Sequence, residues 1–236
     1  MAVSPGSFKT MAVYVVKTEE LTAKNIEAMY AVLPGSRQDC AARLAKPVKR
    51  VESVAAAYLA FFSLVCGDID DCIVYPSLES LLEMQEEAAK LASKIGWHVG
   101  EYGKPFPQGV DVNGKLFYVS ISHSGGLVVA AVAENPVGVD VQQNPALSKH
   151  QMLRIASKFH ASEQEHLNSL PESQLSAEFC RLWVCKESVM KLCGKGLSLP
   201  ISSFRIVGDS CMLDGNPIRL TVHPLQDTFL AIAEWK

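Results

Sequence analysis

Glu187 and Lys191 stand four residues apart in the stretch Trp183-Val184-Cys185-Lys186-Glu187-Ser188-Val189-Met190-Lys191-Leu192-Cys193-Gly194-Lys195-Gly196-Leu197. On a helix that spacing stacks both side chains on one face. Apolar residues surround nearly the whole wheel from Phe179 to Cys193, with Arg181 and Ser188 as a narrow polar strip and Lys186, Glu187 and Lys191 set among the apolar neighbours. Such a helix is expected to be buried on most of its surface. Buried charges are rare unless they are paired, hold a metal or work on a ligand. A plain Glu187–Lys191 salt bridge is the ordinary reading; an ion site is the chemical one.

Asp140 poses the same question. Val137-Gly138-Val139-Asp140-Val141-Gln142 is a short β-branched strand,. Residues i and i+2 share a strand face, so Asp140 and Gln142 point the same way, roughly 7 Å apart. A lone carboxylate there is costly, and either a local pair or a hard cation would relieve it. Asp140, Glu187 and the Gln142 side-chain carbonyl together make a magnesium site. Magnesium takes few protein oxygens and keeps waters and phosphate oxygens, which points to a phosphorylated ligand.

Other residues could meet its phosphates. Ser122-His123-Ser124-Gly125-Gly126 reads as a turn that offers hydroxyls, an imidazole and backbone N–H groups to an anion,. Lys104 sits on a stiff loop between Gly103 and Pro105, with Pro107 beyond. Lys46, Lys49 and Arg50, with Ser53 one turn on, form a basic cluster at a helix start. Each of these also reads as solvated polar surface. Gly194-Lys195-Gly196 fits a helix-ending turn. No GxxxxGK[ST] is present, and no GxGxxG follows a strand,.

The elements that must position these residues fall into two runs. Met11 to Val16 is a buried strand; Thr22 to Val32 is a helix stopped by Pro34-Gly35. Ser36 is placed to cap a helix over Gln38 to Ala45. A long helix covers Val48 to Val65 and stops at Gly67. Ser77 caps another over Leu78 to Ile95. Strands over Lys115 to Ser122 and Gly126 to Ala133 pair through the turn between them. After Asn135-Pro136 the plan repeats: the Asp140 strand, helices at Ser148 to Ser157 and Ser162 to Leu170, and the Glu187 helix from about Ser176. Strands at Phe204 to Val207, Arg219 to His223 and Thr228 to Trp235 then close the chain, with Asp214-Gly215-Asn216-Pro217 as a turn. The expectation is an α+β fold of two similar halves, 1–136 and 137–236, with a ligand cleft between them.

Composition narrows the function classes. The chain has 236 residues, 48% of them hydrophobic, enough for a sizeable core,. A net charge of −3 supplies no broad basic field for nucleic acid,. Seven cysteines include no CxxC pair and suit free thiols in a reducing compartment,. Met1 to Thr10 has no apolar core of a secretory signal and reads as a loose leader. The apolar run Val54 to Cys66 is too short to span a bilayer, so a core helix is expected. A soluble, cytoplasmic protein follows.

Taken in order, Gly103-Lys104-Pro105, Ser122-His123-Ser124, Gly138-Val139-Asp140-Val141 and Trp183-x-x-Lys186-Glu187-Ser188-x-x-Lys191-x-x-Gly194-x-Gly196-Leu197 resemble the 4′-phosphopantetheinyl transferases of the surfactin-synthetase type. The motifs cover roughly residues 101 to 197. The resemblance implies a pseudo-twofold α+β fold in a single chain, so a monomer, with coenzyme A and magnesium (or manganese) in the cleft. It implies transfer of phosphopantetheine to a serine of an apo acyl or peptidyl carrier protein, in fatty-acid, polyketide or peptide synthesis, with release of adenosine 3′,5′-bisphosphate. By position Asp140 and Glu187 match the metal ligands, His123 and Lys191 the phosphate contacts, and Lys104 the nucleotide end. Ser122 belongs to the same phosphate motif. Lys49, Arg50 and Ser53 are candidates for the 3′-phosphate. Lys186 is a candidate for orienting Glu187 or the leaving group. Glu187 is the candidate base and Lys191 a second positive contact. Gln142 stands where many members carry a third acid, which weakens that ligand. A catalytically weak homologue that binds coenzyme A or a carrier protein is the alternative. Carrier proteins in these reactions are acidic, which suggests a docking face near Lys149, Arg154 and Lys158.

Overall fold

The computed structural model describes residues 11–66, 73–106, 108–144, 146–225 and 227–236. The expected leader, the stop at Gly67, Pro107 and Cys72 lie outside them.

Met11–Lys17 forms β1, whose parity splits its side chains between two cores,. Ala12, Tyr14 and Val16 face the helices, whereas Val13 and Val15 face the second sheet. Thr22 caps α1, Ala23–Val32, in a capping box with Asn25,. The next helix, α2, covers Gly35–Ala42 and has Pro34 at its cap, so Ser36 lies inside the first turn and not at the expected cap position. The long α3, Pro47–Cys66, is buried continuously from Glu52 to Leu64, because helices and a sheet surround it. Among the described residues no helix is long and apolar enough to cross a membrane.

Ile73–Val74, β2, adds a parallel edge to β1 that the sequence reading missed. Ser77 caps as expected, but the helix behind it divides at Met84 into α4, Leu78–Glu83, and α5, Gln85–Ile95. Val110–Val112, β3, is a further unexpected strand. Lys115–Ser124, β4, and Leu127–Ala133, β5, form the hairpin. The turn is the pair Gly125-Gly126, both at positive φ. His123 and Ser124 therefore continue the strand past Ser122, where a turn was expected.

Val137–Gln143, β6, opens the second run. It is followed by α6, Lys149–Ala156, α7, Ala161–Ser169, and α8, Glu172–Cys193, which starts a turn earlier than Ser176. Strands β7, Ile206–Val207, β8, Ser210–Leu213, β9, Asn216–Leu225, and β10, Thr228–Trp235, complete it, and β8 is again an addition.

Among the described residues two five-stranded sheets result, ordered β2-β1-β5-β4-β3 and β6-β10-β9-β8-β7. In each, the first long strand pairs antiparallel with the last, Val13 opposite Ala131 and Val139 opposite Ile232. Between the sheets, Val13, Val15, Val129 and Ala131 pack on Val137, Val139, Val141, Leu230 and Ile232. That parity turns Gly138 and Asp140 to the opposite face of β6, where α8 lies.

Candidate functional site

Helix α8 approaches β6 backbone to backbone. A Cβ built on Gly138 would lie 2.0 Å from the Ser188 carbonyl oxygen and 2.4 Å from the Leu192 nitrogen. Only glycine permits that approach, and Ser188 is fully buried against it rather than part of an exposed polar strip,. Immediately beside this contact, Glu187 and Lys191 bring the charged face of the helix over Asp140.

Lys191 Nζ lies 2.7 Å from Asp140 Oδ1 and donates also to the Ile121 carbonyl at 3.2 Å. Ser122 Oγ donates to the same Asp140 oxygen at 2.6 Å. The Asp140 side chain is 8% exposed. Glu187 is half-buried beside it; burial first, then the Asp140 charge, raise its pKa, and Lys191 partly offsets this. The plain Glu187–Lys191 pair is thus replaced by a cluster in which one lysine faces two carboxylates. Two acids and a single ammonium form a donor set that fits a hard divalent ion. Among the described residues no three His, Cys, Asp or Glu side chains gather as a metal group, so an ion here would draw two carboxylates from the protein. Gln142 shares the Asp140 face by strand parity, but its amide donates to the Gln143 carbonyl at 2.9 Å.

A cavity of about 500 Å³ adjoins this cluster, with Glu187, Lys191, Lys104, Arg37 and Trp97 in its wall. Lys104 donates to the carbonyls of Val137 and Leu192, each at 3.2 Å, and so ties the loop to β6 and to the end of α8. Burial lowers its pKa to about 8. Gly194, at φ 68°, ends α8, and a Cβ there would meet the Lys104 side chain at 3.3 Å. The glycine turn therefore both caps the helix and seats the Lys104 loop.

Outside the cavity lining, His123 Nδ1 lies 3.1 Å and Lys49 Nζ 2.8 Å from Oε2 of the buried Glu52. Burial lowers the His123 pKa, against the pull of Glu52. Arg37, which sequence reasoning missed, donates to the Ser53 carbonyl at 2.9 Å and hydroxyl at 2.6 Å. Its guanidinium lies 5.4 Å from the Trp97 ring centroid. A short polar helix gave no periodic signal to single Arg37 out, and Glu52 belongs to no motif of the sequence. Arg50 turns away, donating to the Ala42 and Leu44 carbonyls at the end of α2.

Lys186 corrects the expectation that it serves the ligand. It is fully buried, 2.8 Å from Glu163 Oε2, and donates to the Ile201 and Phe204 carbonyls. Its Nζ lies 4.4 Å from the Phe204 ring centroid. Adjacent helix positions point about 100° apart, so Lys186 enters the C-terminal core while Glu187 faces the cavity.

The family model described as the 4′-phosphopantetheinyl transferase superfamily matches residues 136–224. The chain is 34% identical over 131 residues to the 4′-phosphopantetheinyl transferase Sfp of Bacillus subtilis strain 168, covering 55% of this chain and 54% of that one. It is 38% identical over 107 residues to the transferase gsp of Aneurinibacillus migulanus, covering 45% and 41%. A further Bacillus subtilis 4′-phosphopantetheinyl transferase is 38% identical over 114 residues, covering 48% and 47%. The chain spans about half the length of the curated relatives it matches. Over residues 136–224 the chain is thus similar to the 4′-phosphopantetheinyl transferase superfamily.

Proposed function

We propose that the protein transfers 4′-phosphopantetheine from coenzyme A to a serine of an apo acyl or peptidyl carrier protein. The observation that carries this reading is the Asp140–Lys191–Glu187 cluster beside a cavity that also holds Lys104. The superfamily match supports it. We further read residues 1–136 and 137–236 as two halves related by a pseudo-twofold axis, which the repeated strand order favours.

In this reading Asp140 and Glu187 hold a magnesium or manganese ion, which when bound offsets charge on the pyrophosphate. Lys191 leaves Asp140 to donate to a phosphate oxygen. Lys104 and Arg37 hold the nucleotide end, with His123 and Lys49 beside it. Glu187, its pKa raised by burial, takes the proton of the carrier serine hydroxyl,. The serine oxygen bonds to the pantetheine-side phosphorus, and the bond from that phosphorus to the bridging oxygen breaks. Adenosine 3′,5′-bisphosphate leaves with the electron pair. Lys149, Arg154 and Lys158 are exposed around α6 and offer a basic face to an acidic carrier.

The test is intact mass of several apo carrier proteins after incubation with coenzyme A and magnesium. A gain of one phosphopantetheine group supports the reading. Binding of coenzyme A in preference to ATP without any mass gain would support the weak-homologue alternative.

A further inference from the structure

We propose that Ser122 is a positioning residue that fixes the Asp140 carboxylate for a divalent cation. The inference rests on reading Asp140 and Glu187 as an ion site. Strands β4 and β6 belong to different sheets, yet serines at alternate positions of β4 reach across to β6. Ser120 Oγ accepts the Val139 N–H at 3.0 Å, and Ser124 Oγ accepts the Gln143 N–H at 3.2 Å. Those two bonds satisfy backbone groups of an edge strand. Ser122 stands between them on the same face and instead gives its hydrogen to Asp140 Oδ1 at 2.6 Å.

An Asp carboxylate turns easily about its last torsion. Here two donors from different elements, Ser122 of β4 and Lys191 of α8, meet the same oxygen. That leaves Oδ2 as the oxygen to meet an incoming cation. A divalent ion repels the Lys191 ammonium, and a phosphate attracts it, so Lys191 is the donor that moves. Ser122 is neutral and buried, and it keeps Oδ1 in place when Lys191 leaves. It does for Asp140 what the outer hydrogen-bonding partners of metal-binding carboxylates do elsewhere.

The experiment measures Mn²⁺ binding to the purified protein without coenzyme A, by the loss of the free-ion paramagnetic resonance signal. Ser122→Ala should raise the Mn²⁺ Kd by about 10- to 100-fold, and Ser122→Thr, which keeps the hydroxyl, should restore it. Ser124→Ala removes a seam bond of the same kind and should leave the Kd unchanged, with both alanine variants unfolding at similar urea concentrations. In transfer assays Ser122→Ala should need more magnesium while the KM for coenzyme A at saturating magnesium stays the same. Wild-type Mn²⁺ binding by Ser122→Ala would overturn the proposal. So would a raised KM for coenzyme A with unaltered Mn²⁺ binding, which makes the serine a ligand contact. Serine-dependent Mn²⁺ binding in a protein that modifies no carrier would uphold the positioning role and refute the transferase reading.

Discussion

Gly138 and Ser188 meet through their backbones, and this contact sets the distance between Asp140 on β6 and the Glu187–Lys191 face of α8. A methyl group at Gly138 would sit 2.0 Å from the Ser188 carbonyl oxygen, so the strand or the helix must shift to accept it. Gly138→Ala should cost about 3 kcal/mol or more in urea unfolding and lower phosphopantetheine transfer with it. Gly35→Ala is the contrast: nothing lies within 4 Å and the position opens α2. It should gain roughly 0.4–1 kcal/mol.

Glu187→Gln keeps the shape of the side chain and removes its capacity to accept a proton. The transfer rate should fall by about 10²- to 10⁴-fold, with the fold intact by circular dichroism. Wild-type turnover in both Glu187→Gln and Asp140→Asn would remove this site from the reaction.

Lys104 should make ligand binding depend on pH. Burial holds its pKa at about 8, so above that value the free protein carries it mostly neutral. A phosphate nearby favours the charged form and raises the pKa. Coenzyme A binding above pH 8 should therefore take up a proton, and affinity should fall as pH rises through that value. Calorimetry in two buffers of different ionisation enthalpy measures the uptake, and Lys104→Met should abolish it.

Lys186→Met should act on stability and not on the ligand. Removing the ammonium leaves Glu163 charged in the core, at a cost of about 3–5 kcal/mol. Lys186→Met with Glu163→Gln should recover part of that in urea unfolding, because no charge is then stranded. A raised KM for coenzyme A in the folded double variant would return Lys186 to the site.

Gln142→Ala should change little, since the Gln142 amide is engaged by the Gln143 carbonyl. The magnesium concentration for half-maximal rate should shift less than threefold, far below the shift in Asp140→Ala. An equal shift in both would make Gln142 a ligand in its own right.

The sequence by itself determined the local order. Short β-branched apolar runs bounded by turn residues read as buried strands, and the i, i+4 spacing put Glu187 and Lys191 on one helix face wherever that helix lay. Gly194 had to end α8, because its left-handed turn is open to few other residues. What the one-dimensional pattern lacked was distance between elements. It could not show that β4 runs beside β6, so it read His123 as part of a turn and could not set Ser122 against Asp140. Nor could it separate Lys186 from Glu187, adjacent lysine and glutamate whose fates differ by one helical step of rotation. Short strands such as β2, β3 and β8 also escaped it, since few residues carry too little periodicity to outweigh their turns. Arg37 had the same difficulty: a lone arginine on a polar helix acquires meaning only when Trp97 and Ser53 are folded against it. Tertiary packing decided these matters, because burial and Coulomb coupling depend on separation in space, and residues 140 and 187 are neighbours only there.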